Sequence, residues 1–216
     1  MGKISASLIN SMGSDLTVIN SARVSFGKKK DELEPSDIKL INYLAKNKHL
    51  TPFEHCTLTV LVKCPLYIRS QIHRHRTFSY NEISRRYTDE NLEFYTPDVF
   101  RTQHKSSKQC SGGEFDSEQN EVAQSINSDV EKTCLEAYNK LIDMGVAREL
   151  ARGLLPQSLM TEFYMTGNLR NWVHFLKLRL DSHAQKEVQD VAKPITDILM
   201  DKFPESTKAL LNIEEL

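Results

Sequence analysis

Between Glu54 and Lys63 the chain changes period: Cys56, Leu58, Val60, Val62 and Cys64 alternate with His55, Thr57, Thr59 and Lys63, and only Leu61 stands on the polar side. Alternation at period two is the mark of a strand with one apolar face. Pro65 then suits the first turn of a helix, PLYIRSQIHRH, which delivers Gln71, Arg74 and His75 toward its C-terminal end. A second strand is expected over 157–166. A helix follows over 168–180, with Leu169, Trp172, Val173 and Leu176 on one face and Arg170, His174 and Lys177 on another.

Helical periods dominate elsewhere. Ser36 is placed to cap a helix carrying Ile38, Leu40, Ile41 and Leu44. Val122, Ile126, Val130, Cys134, Tyr138, Leu141 and Ile142 keep helical spacing up to Gly145, which predicts one long amphipathic helix. A short helix through Arg152 ends before Pro156. Ser182 with Gln185 reads as a capping box for a last helix, broken or kinked at Pro194. At the N-terminus, 3–10 and 16–25 predict two strands, or a strand and a short helix, around a turn at Gly13 and Ser14. The polar, glycine-containing stretch 101–118 predicts a mobile surface loop of low catalytic content. No βαβ alternation, Rossmann or Walker glycine pattern or internal repeat is visible. These patterns point to an α+β fold of one domain, residues 1–216, with a mainly antiparallel sheet against long α-helices.

The formal net charge is −1, so any affinity for anions must come from local arrangement. Cys56, Cys64, Cys110 and Cys134 form no CxxC pair and no secretory signal precedes them, which points to reduced thiols in the cytoplasm. No window is apolar over the ~20 residues that span a bilayer.

One segment is hard to explain as folding. RHRTFSYNEISRRY, residues 74–87, packs four arginines, a histidine, two serines, an asparagine and a glutamate into fourteen positions. Guanidinium forks make poor core and suit bidentate capture of phosphate or carboxylate. Glu82 between Arg76 and Arg85, with Ser79, Asn81 and Ser84, suits a small polar ligand better than a polyanion. The competing reading is a nucleic-acid module whose Arg74, Arg76, Arg85 and Arg86 meet phosphates while Phe78, Tyr80 or Tyr87 stack on bases; the near-neutral charge opposes it. In HLTPFEH, residues 49–55, the two histidines match no common zinc spacing, so no metal is expected. Thr51 and Glu54 read either as polar groups at a pocket rim or as an ordinary strand entry. In NLRNWVHFLKLRLDSHAQ, residues 168–185, Arg170 and His174 stack at i and i+4, and Arg179 and His183 flank a helix junction.

The segment 74–87 fits RHRxxSxNExSxRY at all nine specified positions, and this is the pattern of the flavin-dependent thymidylate synthases. The chain also resembles that family in ARVSFG at 22–27, HLTPFEH, ARGLLP and NLRNWVHFLKLRLDSHAQ. The resemblance implies an α+β homotetramer with active sites at subunit interfaces. It also implies one FAD per site and conversion of dUMP to dTMP with methylene-tetrahydrofolate and NADPH. Carried over by position, Ser25, Thr51, Glu54, Arg74, His75, Arg76, Glu82, Asn168, Arg170 and His174 are expected at the flavin; some members carry asparagine in place of His174. Gln71, Arg74, Glu82, Ser84, Arg86, Arg152 and Arg179 are expected at the nucleotide, and His49 near folate and flavin, stacking or relaying protons. Arg179 is expected to stabilise charge on the pyrimidine. Ser84 lacks a neighbouring general base and is read as positioning substrate rather than attacking it. Cys56 and Cys64, on the apolar strand face, are expected to be inert.

Overall fold

The alternating run forms β2 (Thr57–Pro65), whose even-numbered residues from Leu58 to Cys64 are buried. A computed structural model describes residues 2–106, 108 and 110–212. Two strands flank β2 in antiparallel register: β1 (Ser5–Met12), and β6 (Met160–Asn168), which pairs with it from Thr57↔Asn168 to Pro65↔Met160. The short β3 (Ser79–Glu82) adds to the far side of β6, giving the order β1-β2-β6-β3. The expected antiparallel α+β arrangement is therefore present.

Helices α1 (Asp15–Arg23), α2 (Pro35–Lys46), α3 (Leu66–Ile72), α6 (Leu169–Arg179), α7 (Lys186–Lys202) and α8 (Pro204–Leu211) contribute buried residues to one core with the inner sheet face. Trp172, Phe53, Phe163, Phe175 and Phe203 are among its largest members, and the Trp172 indole donates to the Leu58 carbonyl at 3.4 Å. A smaller core lies under α4 (Ser117–Asp143) and α5 (Arg148–Ala151), built on Tyr138, Ala151, Leu155 and Leu159.

Several boundaries differ from the sequence reading, each for a local reason. At the N-terminus the strand and short helix, one of the two arrangements expected, is the one formed: β1 is followed by α1 over most of 16–25, and Gly13, at φ 91°, makes the turn. The strand begins at Thr57, because Thr51–His55 is a 3-10 turn that removes Glu54 and His55 from the ladder. Glu34, not Ser36, is the N-cap of α2, and Pro35 takes the first turn. Pro65 ends β2 and caps α3, and α3 stops at Ile72, so Arg74 and His75 lie beyond the helix. Gln185 rather than Ser182 starts α7, without a side-chain cap, and α7 runs through Pro194 unbroken. Val191, Ala192 and Ile195 are buried around that proline, so packing offsets the lost backbone bond.

The clearest departure is 101–118. It holds a hairpin of β4 (Arg101–Gln103) and β5 (Ser111–Glu114) before α4 begins. Among the described residues no helix is long and apolar enough to cross a membrane.

Candidate active site

The arginine-rich segment is shaped from both sides. The Tyr80 hydroxyl donates toward the Ile72 and His75 carbonyls, at 3.0 and 2.9 Å, closing the turn after α3. Asn171 Nδ2 donates to the Thr77 carbonyl at 3.0 Å and fastens that turn to α6. Asn168 accepts from the Asn171 amide and caps α6, so this residue expected at the flavin also orients Arg170 and His174. Phe78 packs on Trp172 with ring centroids 4.7 Å apart. A Cβ at Gly167 would come within 2.4 Å of that ring, so the position requires glycine. With Phe78 buried and Tyr80 half-buried, two of the three rings that a base-stacking module would need belong to the fold.

At the end of α6, Arg179 Nε donates to His75 Nε2 at 3.0 Å and its Nη2 donates to the Gln71 carbonyl at 3.2 Å. His75 is 7% exposed. Burial, with the Arg179 and His174 charges adding to it, pushes its pKa down to about 4. It is therefore a neutral acceptor at physiological pH, which the contact with a guanidinium requires. Burial and then the Arg74 charge lower the Arg179 pKa, though an arginine remains a cation. Two guanidinium groups near each other, one of them bonded to a neutral imidazole and a carbonyl rather than a carboxylate, leave positive potential unspent.

The flanking groups are tied differently. Gln71 Nε2 donates to Gln185 Oε1 at 2.5 Å, Gln185 Nε2 to Glu187 Oε2 at 2.9 Å, and Arg101 Nη2 to Glu187 Oε1 at 2.6 Å. Glu187 is buried, and this chain of contacts connects the β4–β5 hairpin to Gln71. Glu82, expected between Arg76 and Arg85, instead accepts from Thr161 Oγ1 at 2.6 Å and Arg69 Nε at 3.1 Å. Its strand position decides this: Tyr80 and Glu82 face the core side of β3, while Ser79 and Asn81 alternate to the other. Arg69, Glu187 and Arg101 belong to no motif in the sequence, and Gln185 shows there only as a helix-cap residue at the end of NLRNWVHFLKLRLDSHAQ, with no site role assigned to it. The one local signal for them is a Gln and a Glu close together at the start of α7.

Beyond β3, Ser84 Oγ accepts from the Arg86 amide at 3.3 Å, and Arg86 Nη2 reaches the Tyr87 hydroxyl at 2.8 Å. Arg85 Nη1 and Nη2 donate to the Glu90 and Asn91 carbonyls, while Arg152 donates to the Glu149 carbonyl at 3.4 Å. The remaining expected residues are spread out. Ser25 sits on an exposed turn with its hydroxyl on the Ala22 carbonyl, and His49 is exposed against the edge of Tyr43. Thr51, Arg74 and Arg76 are exposed. His183 bonds Asp181 at the surface and stays out of the Arg179 cluster.

A cleft of about 1030 Å³ opens against α6, lined in part by Leu50, Thr77, Arg170, Asn171, Val173 and His174. Arg170 Nη1 meets Glu54 Oε1 at 2.5 Å at its mouth. Its size is at the upper end for small-molecule sites, about 300–1,000 Å³. The Arg170 guanidinium beside the apolar side chains of Leu50 and Val173 supplies a fork for a phosphate and a wall for a ring system, which is chemistry a flavin dinucleotide needs, so these residues fit that group. The thiols just before and on the central strand do not line it: Cys56 and Cys64 are buried, and burial pushes Cys56 up to about 12 and Cys64 well above the usual thiol range. Among the described residues no cluster of three or more His, Cys, Asp or Glu could hold a metal.

Comparison with known proteins agrees with this geometry. The family model described as "Thymidylate synthase complementing protein" matches residues 7–205. A flavin-dependent thymidylate synthase of Thermus thermophilus is 42% identical over 197 residues, covering 91% of this chain and 72% of that protein. One from Kosmotoga olearia is 43% identical over 206 residues, covering 95% and 89%. Among solved structures, a UMP/dUMP methylase, PolB from Streptomyces cacaoi bound with 5-Br UMP, superposes with a TM-score of 0.87 at 32% identity, covering 97% of this chain and 94% of that one. The chain therefore belongs to the thymidylate synthase complementing protein family, the flavin-dependent thymidylate synthases.

Proposed function

We propose that this protein converts dUMP to dTMP, acting in the cytoplasm as one catalytic domain. Methylene-tetrahydrofolate is the carbon donor and FAD, recharged by NADPH, the source of hydride. The observation that carries this reading is the His75–Arg179–Gln71 cluster: a half-buried guanidinium, fixed through a neutral histidine and a backbone carbonyl, beside a second guanidinium. Such a group stabilises negative charge developing on a pyrimidine oxygen as the ring carbon that takes the methyl group becomes nucleophilic. One oriented donor in a water-poor site is worth about 2.7–4 kcal/mol.

The other residues bind and orient. Arg74, Arg86 and Arg152 supply forks for the dUMP phosphate, with Gln71, Glu82 and Ser84 positioning the nucleotide. Ser25, Thr51, Glu54, Arg74, His75, Arg76, Glu82, Asn168, Arg170 and His174 hold the cofactor, and His49 lies near the folate and the cofactor. Bound flavin supplies the hydride equivalents. The serine is not the nucleophile: its hydroxyl accepts from the Arg86 amide, and no base adjoins it in sequence.

The exposure of Ser25, Thr51, His49 and Arg76 supports a site completed by other subunits of a homotetramer. So does the apolar row Val122, Ile126 and Val130 on α4, each more than half exposed.

The test is anaerobic. Flavin bound to the purified protein and reduced with NADPH recovers its oxidised absorbance when dUMP and methylene-tetrahydrofolate are added together. A protein that carries no flavin and binds none contradicts the reading.

A further inference from the structure

The cleft has a second wall, which none of the residues expected at the flavin or the nucleotide occupies. Opposite Arg170 and His174 on α6, it is formed by α2 and α8 through Ile38, Asn42, Ala45, Lys46, Lys208 and Ala209. Lys48 and Lys177 complete its rim. Five cationic side chains, Lys46, Lys48, Arg170, Lys177 and Lys208, thus line the cleft against one lining carboxylate, Glu205, with Glu54 held by Arg170 beside it. In a chain of net charge −1 this is a marked local excess.

The cations are largely uncommitted. Lys208 meets Glu205 at 3.1 Å and Arg170 meets Glu54, whereas Lys46, Lys48 and Lys177 have no ion pair among the described residues. Glu205 follows the first-turn proline of α8, and its amide donates to Asp15 at 2.9 Å, so the wall is fixed in place by α1. Lys48 stands at φ 58°, a backbone conformation that a lysine adopts at a cost. The chemistry is of mobile ammonium groups around an apolar floor of Ile38, Ala45, Leu50, Ala209 and Leu210. Point charges on flexible stems suit several anionic groups along a flexible chain, where rigid forks suit one fixed phosphate.

We propose that the α2–α8 wall is an anion subsite that takes the multiply charged tail of a co-substrate whose ring end reaches the α6 wall. This rests on the reading of the site as a flavin-dependent dUMP methylase, because it supplies the two sources of such a tail: the γ-glutamyl carboxylates of a folate and the phosphates of a nicotinamide dinucleotide. Either source is held by the same lysines.

The experiment uses the flavin-loaded protein and the variant Lys46→Gln/Lys48→Gln/Lys208→Gln. Binding of tetrahydrofolate with one and with five γ-glutamyl residues, and of NADPH and NADH, is measured by calorimetry at low and high salt, alongside KM and kcat. If the folate tail is the ligand, the wild type binds the pentaglutamate more tightly than the monoglutamate and salt erases the difference. The variant then loses roughly tenfold toward the pentaglutamate alone, the sum expected of about three exposed ion pairs. If the dinucleotide is the ligand, the same loss falls on NADPH, a smaller one on NADH, which lacks one of the phosphates, and both folates are spared. Either pattern, with kcat unchanged, supports the subsite. Equal affinity of wild type and variant for all four ligands overturns it. So does loss of flavin from the variant, which would make this wall part of the flavin's own seat. Because the binding arm needs no turnover, failure of the subsite is distinguishable from failure of the dTMP reaction.

Discussion

His75 and Arg179 form the most informative pair of residues because each explains the state of the other. A histidine that accepts from a guanidinium must be neutral, and burial keeps it so, with its pKa at about 4. An unfolded histidine titrates near 6.5. Between about pH 6.5 and about 4 the unfolded chain therefore binds the extra proton, and stability rises with pH across that window. The contribution is complete above 6.5 and lost as pH falls through the window. Denaturant melts should show wild type losing about 1–2 kcal/mol more than His75→Gln between pH 7 and pH 5. Equal losses would mean that His75 is solvated. Arg179→Ala should fold, retain its flavin spectrum and lose dTMP formation by roughly a hundredfold; near-normal turnover would remove Arg179 from the chemistry. Arg179 could be picked out in the sequence through the resemblance, but its contact with His75 could not. The two lie 104 residues apart in the chain, so only folding brings them together.

At the scale of elements, what was legible is what local periodicity encodes. The alternation from Cys56 to Cys64 and the apolar faces of α4 and α6 are patterns within a few turns of chain, and the fold has them. The β4–β5 hairpin was missed because its residues are polar and glycine-containing. Arg101 on β4 is anchored by Glu187, 86 residues later, a contact that local composition cannot reveal. The same contact makes Gln185 part of a polar chain reaching Gln71, where the sequence offered only a capping box. The motif's place against α6 depends on Gly167, since the Phe78 ring occupies the space of a side chain there. Gly167→Ala should push Phe78 off Trp172, cost about 1–3 kcal/mol by overpacking and lower flavin retention. Unchanged thermal stability in that variant would show that the ring has room to move.

The whole molecule buries its inner sheet face under helices but leaves part of α4 bare. Tyr138 on α4 is covered by the smaller core, whereas Val122, Ile126 and Val130 on the same helix are exposed. This supports assembly of the chain on itself, and Val122→Asp/Ile126→Asp should shift the protein to smaller species in light scattering while its helical content persists. An unchanged mass would place the interface elsewhere. The central claim is replacement of the pyrimidine hydrogen by a methyl group with flavin as reductant. Its most direct test is anaerobic incubation of the flavin-loaded protein with dUMP tritiated at the reacting carbon. Tritium should appear in water in step with dTMP, only when methylene-tetrahydrofolate and reduced flavin are both present. Release of tritium with dTMP from flavin-free protein, or no dTMP with every component supplied, would contradict it.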